Sequence, residues 1–116
     1  MSKSISEYKW RRVTCRGDDF AKVILKFEKC DVGFKFVSNA NSPDFPNEII
    51  LPYIEEAISE AFDLAEIDKS GYIITLENAI DVTGEASPHA FQQCTIGATL
   101  SFLGRKDLCP NPGFVD

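Results

Sequence analysis

From Phe20 to Lys29, in FAKVILKFEK, Val23, Leu25 and Phe27 alternate with Lys22, Lys26 and Glu28, the period of a strand with one dry face and one wet face. Further on the period changes. Ile54, Ala57, Ile58, Ala61 and Phe62 recur at helical spacing, with Glu55, Glu56, Ser59, Glu60 and Asp63 on the other side. A sheet that is dry on one face and a helix that is dry along one stripe have to cover each other, so this switch of period predicts a two-layer α+β sandwich. At 116 residues and 44% hydrophobic content, the chain is large enough for one such core and too short for two.

The other elements are read in the same way. Tyr8 to Cys15, YKWRRVTC, is rich in strand-favouring residues and is expected to pair with Phe20–Lys29 across a turn at Arg16-Gly17-Asp18-Asp19. A second turn at Cys30-Asp31-Val32-Gly33 leads to Phe34–Ser38, where Phe34 and Phe36 share a side and Lys35 takes the other. These three strands are expected to form an antiparallel meander. Asn39 to Phe45 has loop composition, and the first helix is expected to open near Pro52. A fourth strand, Tyr72–Leu76, follows the loop Glu66–Gly71. Ser87-Pro88 then starts a second helix, with Ser as N-cap and Pro in the first turn, and Gly104 stops it. Gly97 in mid-helix implies close packing, for which Ala57 and Ala61 are the expected neighbours. The order is β-β-β-α-β-α, a four-stranded sheet with both helices on one face. It makes one domain over residues 1–116, with a core from about 8 to 104 and an irregular tail over 105–116.

No apolar run approaches the roughly 20 residues a membrane span needs, and Met1-Ser2-Lys3-Ser4 is not the start of a signal peptide, so a soluble cytoplasmic protein with no membrane contact is expected. Cys15, Cys30, Cys94 and Cys109 contain no C-x-x-C pair. They read as reduced structural thiols, the alternative being a Cys15–Cys30 bridge in an exported protein. The net charge of −6 is unevenly spread: residues 1–36 carry nine Lys or Arg against five Asp or Glu, and residues 37–116 carry three against thirteen.

The stretch Gly33–Pro46, GFKFVSNANSPDFP, resembles the G-F-x-F-V, polar segment, apolar residue and Pro pattern of domain IV of elongation factor G. The likeness continues through Glu48, Ile50, Pro52, Glu55 or Glu56, Ile58, Glu60 and Ala61, then Gly71-Tyr72, then Ala90-Phe91 and the small residues up to Phe102. It covers roughly residues 10 to 103 and is most specific in the middle. The resemblance implies the two-layer fold of that domain with its left-handed crossover, and ribosome or structured RNA as the partner. The chain departs from that family's pattern at its two tips. The first is only Arg16-Gly17-Asp18-Asp19. At the second, Asp81-Val82-Thr83-Gly84-Glu85-Ala86-Ser87 stands where the family has H-D-V-D-S-S-E, and the histidine has no counterpart. No G-x-x-x-x-G-K-[ST] is present, so there is no phosphate-cradling loop for GTP.

Two surfaces are candidates. Alternation places Lys22, Ile24, Lys26, Lys35 and Val37 on the uncovered sheet face, joined by Arg11 or Arg12, and this basic face could meet RNA phosphates while Trp10 or Tyr8 stacks on a base. The alternative is an ordinary solvated face. The tips, Arg16, Gly17, Asp18 and Asp19 with Asp81, Thr83, Gly84 and Glu85, are the second candidate, with a basic protein as partner or with no role beyond turn chemistry. Carboxylates from Glu48 to Asp68 read as solvated charge rather than a metal site. His89 has no Cys or Asp pattern around it, so no catalytic constellation, metal or cofactor is assigned. The expected activity is non-catalytic: a translation-factor-like module that binds RNA or the ribosome, or else a protein-interaction module that binds a protein or a second copy through the open face.

Overall fold

A computed structural model of the chain describes residues 3–14, 17–31, 33–39, 47–81 and 87–108, with side chains at 5, 7–9, 20–31, 33–39, 50–80 and 87–108. The elements are β1 (Lys3–Thr14), β2 (Gly17–Lys29), β3 (Phe34–Ser38), α1 (Asn47–Ala65), β4 (Tyr72–Asp81) and α2 (Pro88–Phe102), then a 3₁₀ turn at Lys106–Leu108. The four strands form one sheet in the order β1-β2-β4-β3. β1 and β2 pair antiparallel from Lys3↔Glu28 to Thr14↔Gly17. β2 and β4 also pair antiparallel, whereas β3 and β4 are parallel from Phe34↔Tyr72 to Ser38↔Leu76.

The expected meander is therefore corrected, because β4 lies between β2 and β3. A central strand is covered on both edges and gains most from apolar residues on both faces. β4 supplies them, with Ile74, Leu76 and Ala79 buried towards the helices and Ile73 and Ile80 half-buried on the other side. The link from β2 to β3 consequently passes the start of β4 instead of making a hairpin. The Cys30 N–H donates to the Gly71 carbonyl at 2.9 Å, and the Gly71 N–H donates to the Gly33 carbonyl at 2.6 Å. Gly33 and Gly71 both have positive φ, 78° and 92°, which a side chain would strain.

In β2, Ala21, Val23, Leu25 and Phe27 are 0–1% exposed while Lys22, Ile24, Lys26 and Glu28 are half-buried, as the alternation requires. Between Ile24↔Asn78 and Leu25↔Leu76 the register slips by one, so Glu77 is the extra residue of a bulge in β4. On α1 the buried positions Ile50, Ile54, Ala57, Ile58, Ala61, Phe62 and Ala65 form one stripe. The helix begins at Asn47, five residues before the expected Pro52. Pro52 lacks the N–H that would bond the carbonyl four residues back, and it sits on the exposed side, where water can take that bond.

Ser87 caps α2, its Oγ accepting from the Ala90 N–H at 3.2 Å, with Pro88 next in line. At the other end the Gly104 N–H donates to Ser101 O and the Arg105 N–H to Leu100 O, the paired closure of a Schellman motif. Residues Cys94 to Leu100 of α2 are all buried. One core joins both helices to β2 and β4, and the Phe27 and Phe102 rings stack in it at 4.0 Å with Tyr72 edge-on to Phe102 at 5.9 Å. Both helices thus cover the same sheet face, the expected two-layer α+β arrangement.

Gly97 has a different neighbour from the one expected. A Cβ built there would lie 2.4 Å from the Tyr8 ring, so the glycine lets α2 settle onto β1. Ala57 and Ala61 pack instead with Ile96 and Leu100. One turn before Gly97, the Cys94 thiol donates to the Tyr8 carbonyl at 2.8 Å. The Cys30 thiol donates to the Gly33 carbonyl at 3.6 Å. Cys15, the other half of the alternative bridge, lies outside the described residues. Among the described residues, no helix is long and apolar enough to cross a membrane.

Candidate binding surfaces: the open sheet face and the tip end

The sheet face away from the helices brings together residues from all four strands. β2 contributes Lys22, Ile24, Lys26 and Glu28; β4 contributes Ile73, Thr75, Asn78 and Ile80; β3 contributes Lys35 and Val37; β1 contributes Ile5, Glu7 and Lys9. The expected basic residues Lys22, Lys26 and Lys35 are therefore on one face. Two of the three are neutralised there.

Lys22 Nζ is ion-paired with Glu7. A hydrogen bond from Lys22, reinforced by its charge, holds the Glu7 carboxyl below the usual carboxylate range. Lys26 lies 3.5 Å from Glu28 and 3.4 Å from Glu77. The neighbouring Glu77 carboxylate does most to raise its ammonium above the ordinary lysine value, with Glu28 adding to it. Glu77 Oε1 is itself shut off from solvent, so this small cross-strand network is partly desolvated. Lys9 and Lys35 are exposed and have no ion pair among the described residues.

The Arg11 backbone stands opposite Phe20 and that of Arg12 opposite Asp19. Alternation groups the Arg11 position with Lys9 and Lys22, and the Arg12 position with the opposite set. The side chains of Trp10, Arg11 and Arg12 lie outside the described residues. The Tyr8 expected to stack on a base faces α2 instead, against Gly97.

Of the two tips, the described residues Gly17, Asp18, Asp19 and Asp81 fall toward one end of the sheet. Among the described residues β4 pairs with β2 as far as Asp81↔Ala21, and β1 and β2 pair on to Thr14↔Gly17. Arg11–Thr14 and Gly17–Phe20 thus make a two-stranded arm beyond Asp81, the last described residue of β4. Gly17, Asp18 and Asp19 are strand rather than turn, because extending the ladder satisfies backbone donors and acceptors that a longer turn would leave to water. The connection that remains is residues 15 and 16. Arg16, Thr83, Gly84 and Glu85 lie outside the described residues.

Glu7 and Glu77 are the partners that sequence reasoning missed. Glu7 lies just before the strand expected from Tyr8, and its contact with Lys22 follows from the ladder running on to Lys3↔Glu28. Glu77 was not legible, because its contact depends on β4 lying beside β2. Elsewhere, Glu55, Glu56, Glu60 and Asp63 are exposed on the outer side of α1, and among the described residues no group of three or more His, Cys, Asp or Glu could hold a metal ion. His89 is exposed at the second residue of α2.

A mixed sheet in the order β1-β2-β4-β3 under two helices, built through β3-α1-β4, defines a two-layer α/β domain of known type. No family model matches the sequence, and no curated protein does. Among solved structures, the crystal structure of a protein from Thermus thermophilus is similar, with a TM-score of 0.73 and 22% identity. The match covers 85% of this chain and 15% of that one, so the shared fold is one part of a much longer protein there.

Proposed function

We propose that this chain is a non-catalytic, translation-factor-like binding module, built like domain IV of elongation factor G, that meets the ribosome or structured RNA with the tip end of its sheet. The observation that carries the reading is the β1–β2 ladder, which runs on to Thr14↔Gly17, past Asp81, the last described residue of β4. The sequence resemblance from Gly33 to Phe102 supports the same reading. The open face is the weaker part of it. With Lys22 and Lys26 held by Glu7, Glu28 and Glu77, an approaching phosphate would have to displace a carboxylate already in place.

Sedimentation with ribosomes and with structured RNA across a salt series tests it. Binding should fall with a log–log slope of roughly −0.7 to −0.9 per phosphate neutralised. It should be lost in Arg11→Glu/Arg12→Glu/Arg16→Glu and kept in Lys22→Glu/Lys26→Glu. No salt-sensitive association at low ionic strength would sink the proposal.

A second reading, a protein-interaction module that uses the open face, is favoured by that same charge compensation. Ile24, Ile73, Ile80 and Val37 lie half-buried between balanced charges, a composition closer to a protein interface than to an RNA-binding face.

A further inference from the structure

We propose that the outer edge of β1 is a self-association surface, on which a second copy of the chain lays its own β1 antiparallel and continues the sheet. The edge borders the open face and shares Ile5, Glu7 and Lys9 with it, but the inference rests on the backbone edge and does not depend on either reading above.

β1 ends the strand order and is 12 residues long, against 5 for β3 at the other edge. Every second residue of such an edge directs its N–H and C=O away from the sheet, and the group that satisfies a row of them is another strand. Among the described residues no strand lies outside β1. Ile5, on this strand, is 68% exposed, the highest value among the exposed large hydrophobic residues described. Edge strands are usually short or carry charges that repel a newcomer. The charges of β1 are arranged to accept one particular newcomer.

Lys3, Ile5, Glu7, Lys9, Arg11 and Val13 occupy alternate positions and so belong to one face. A two-fold axis perpendicular to the sheet keeps that face on the same side in both copies. With the axis at Tyr8, Glu7 of each copy stands opposite Lys9 of the other, Ile5 opposite Arg11 and Lys3 opposite Val13. No like charges meet on this face. Moving the axis one residue either way puts like charges opposite. At Glu7 it sets Glu7 against Glu7 and Lys3 against Arg11, and at Lys9 it sets Lys9 against Lys9. Opposed unlike charges favour a register and like charges reject it, so the Tyr8-centred pairing is preferred over both adjacent registers, and registers shifted further toward either end pair less of the strand. Glu7 can serve both its own Lys22 and the incoming lysine, since its side chain stays 49% exposed and Lys9 has no ion pair within the described chain.

Sedimentation equilibrium of the full chain from about 1 to about 500 μM should show a monomer–dimer equilibrium. Hydrogen exchange should slow in Lys3–Thr14 as concentration rises. Lys9→Glu, which sets glutamates opposite each other twice, should weaken the dimer about tenfold or more. Glu7→Lys/Lys9→Glu, which restores unlike pairs, should recover it to within about threefold of the original. Both sites are exposed, and circular dichroism confirms that the variants fold. A monomer at every concentration overturns the proposal. So does a dimer whose β1 amides gain no protection, or a charge swap that stays as weak as the single variant.

Discussion

The two helices answer to different surroundings. α1 has one neighbourly side: its buried residues run from Ile50 to Ala65 along one stripe, and Glu55, Glu56, Glu60 and Asp63 are exposed on the rest. α2 is buried from Cys94 to Leu100 without a break. It sits with β1 and β2 beneath it, α1 beside it and the turn at Leu108 against its end. A helix covered on several sides needs small residues more than large ones, and α2 has Gly97, Ala98, Thr95 and Thr99 where a one-sided helix would alternate Leu with Lys. Amphipathicity therefore measures how many neighbours a helix has, not how firmly it is held.

The largest test of this contrast lies in the stripe of α1. Phe62→Ala should cost about 3–5 kcal/mol in a urea melt, while Glu60→Lys on the outer side of the same helix should stay within about 0.5 kcal/mol. A large loss from Glu60→Lys would mean that α1 has a second neighbour. Next comes the seat of α2. Gly97→Ala must displace the Tyr8 ring and is expected to lose about 1–3 kcal/mol, although alanine is the better helix former; pairing it with Tyr8→Ser should return part of the loss. Additive losses in that double variant would disprove the contact.

A smaller effect of opposite sign is expected at Thr99, whose buried hydroxyl has no hydrogen-bond partner among the described residues, unlike Thr95, which donates to Phe91 O at 2.7 Å. Thr99→Val should stabilise the protein by about 1 kcal/mol, and Thr95→Val should not. Smallest is the titration of Glu7. Its folded pKa is depressed, so the stability it confers is complete at neutral pH and is lost as pH falls from the ordinary glutamate range, about 4.3, through the lower folded value. Carboxyl NMR should show Glu7 titrating below that range, and Lys22→Gln should bring it back. Because the pair is solvent-exposed, added salt should shrink the difference.

Much of the fold was legible in particular residues. The alternation of Val23, Leu25 and Phe27 named the dry face of β2, and the Ile54–Phe62 spacing named the dry stripe of α1. Ser87 and Gly104 marked both ends of α2. These are short-range signals, written within a turn or two of the chain. The extent of β1 was not, since the pairing of its first residues with Phe27 and Glu28 extends a strand that composition alone would start at Tyr8. The start of α1 was misplaced because Pro52 reads as a beginning, while a proline on the exposed side of a first turn and a half is tolerated. Of the candidate surface, the lysines and Glu28 beside Lys26 were legible, but not Glu77, which reaches Lys26 only because β4 lies beside β2.

The sequence by itself determined which segments are strands and helices, which side of each is dry, and that the uncovered face carries Lys22, Lys26 and Lys35. Tertiary structure alone decided that β4 enters between β2 and β3, that Glu77 bulges onto Lys26, and that Gly97 makes room for Tyr8. The physical reason is range. Periodicity and capping act between residues a few positions apart, whereas strand order is settled by which arrangement buries most apolar surface and leaves fewest backbone groups unpaired over the whole chain. The charge state of the open face follows from that order. It was therefore a property of the fold before it was a property of any lysine.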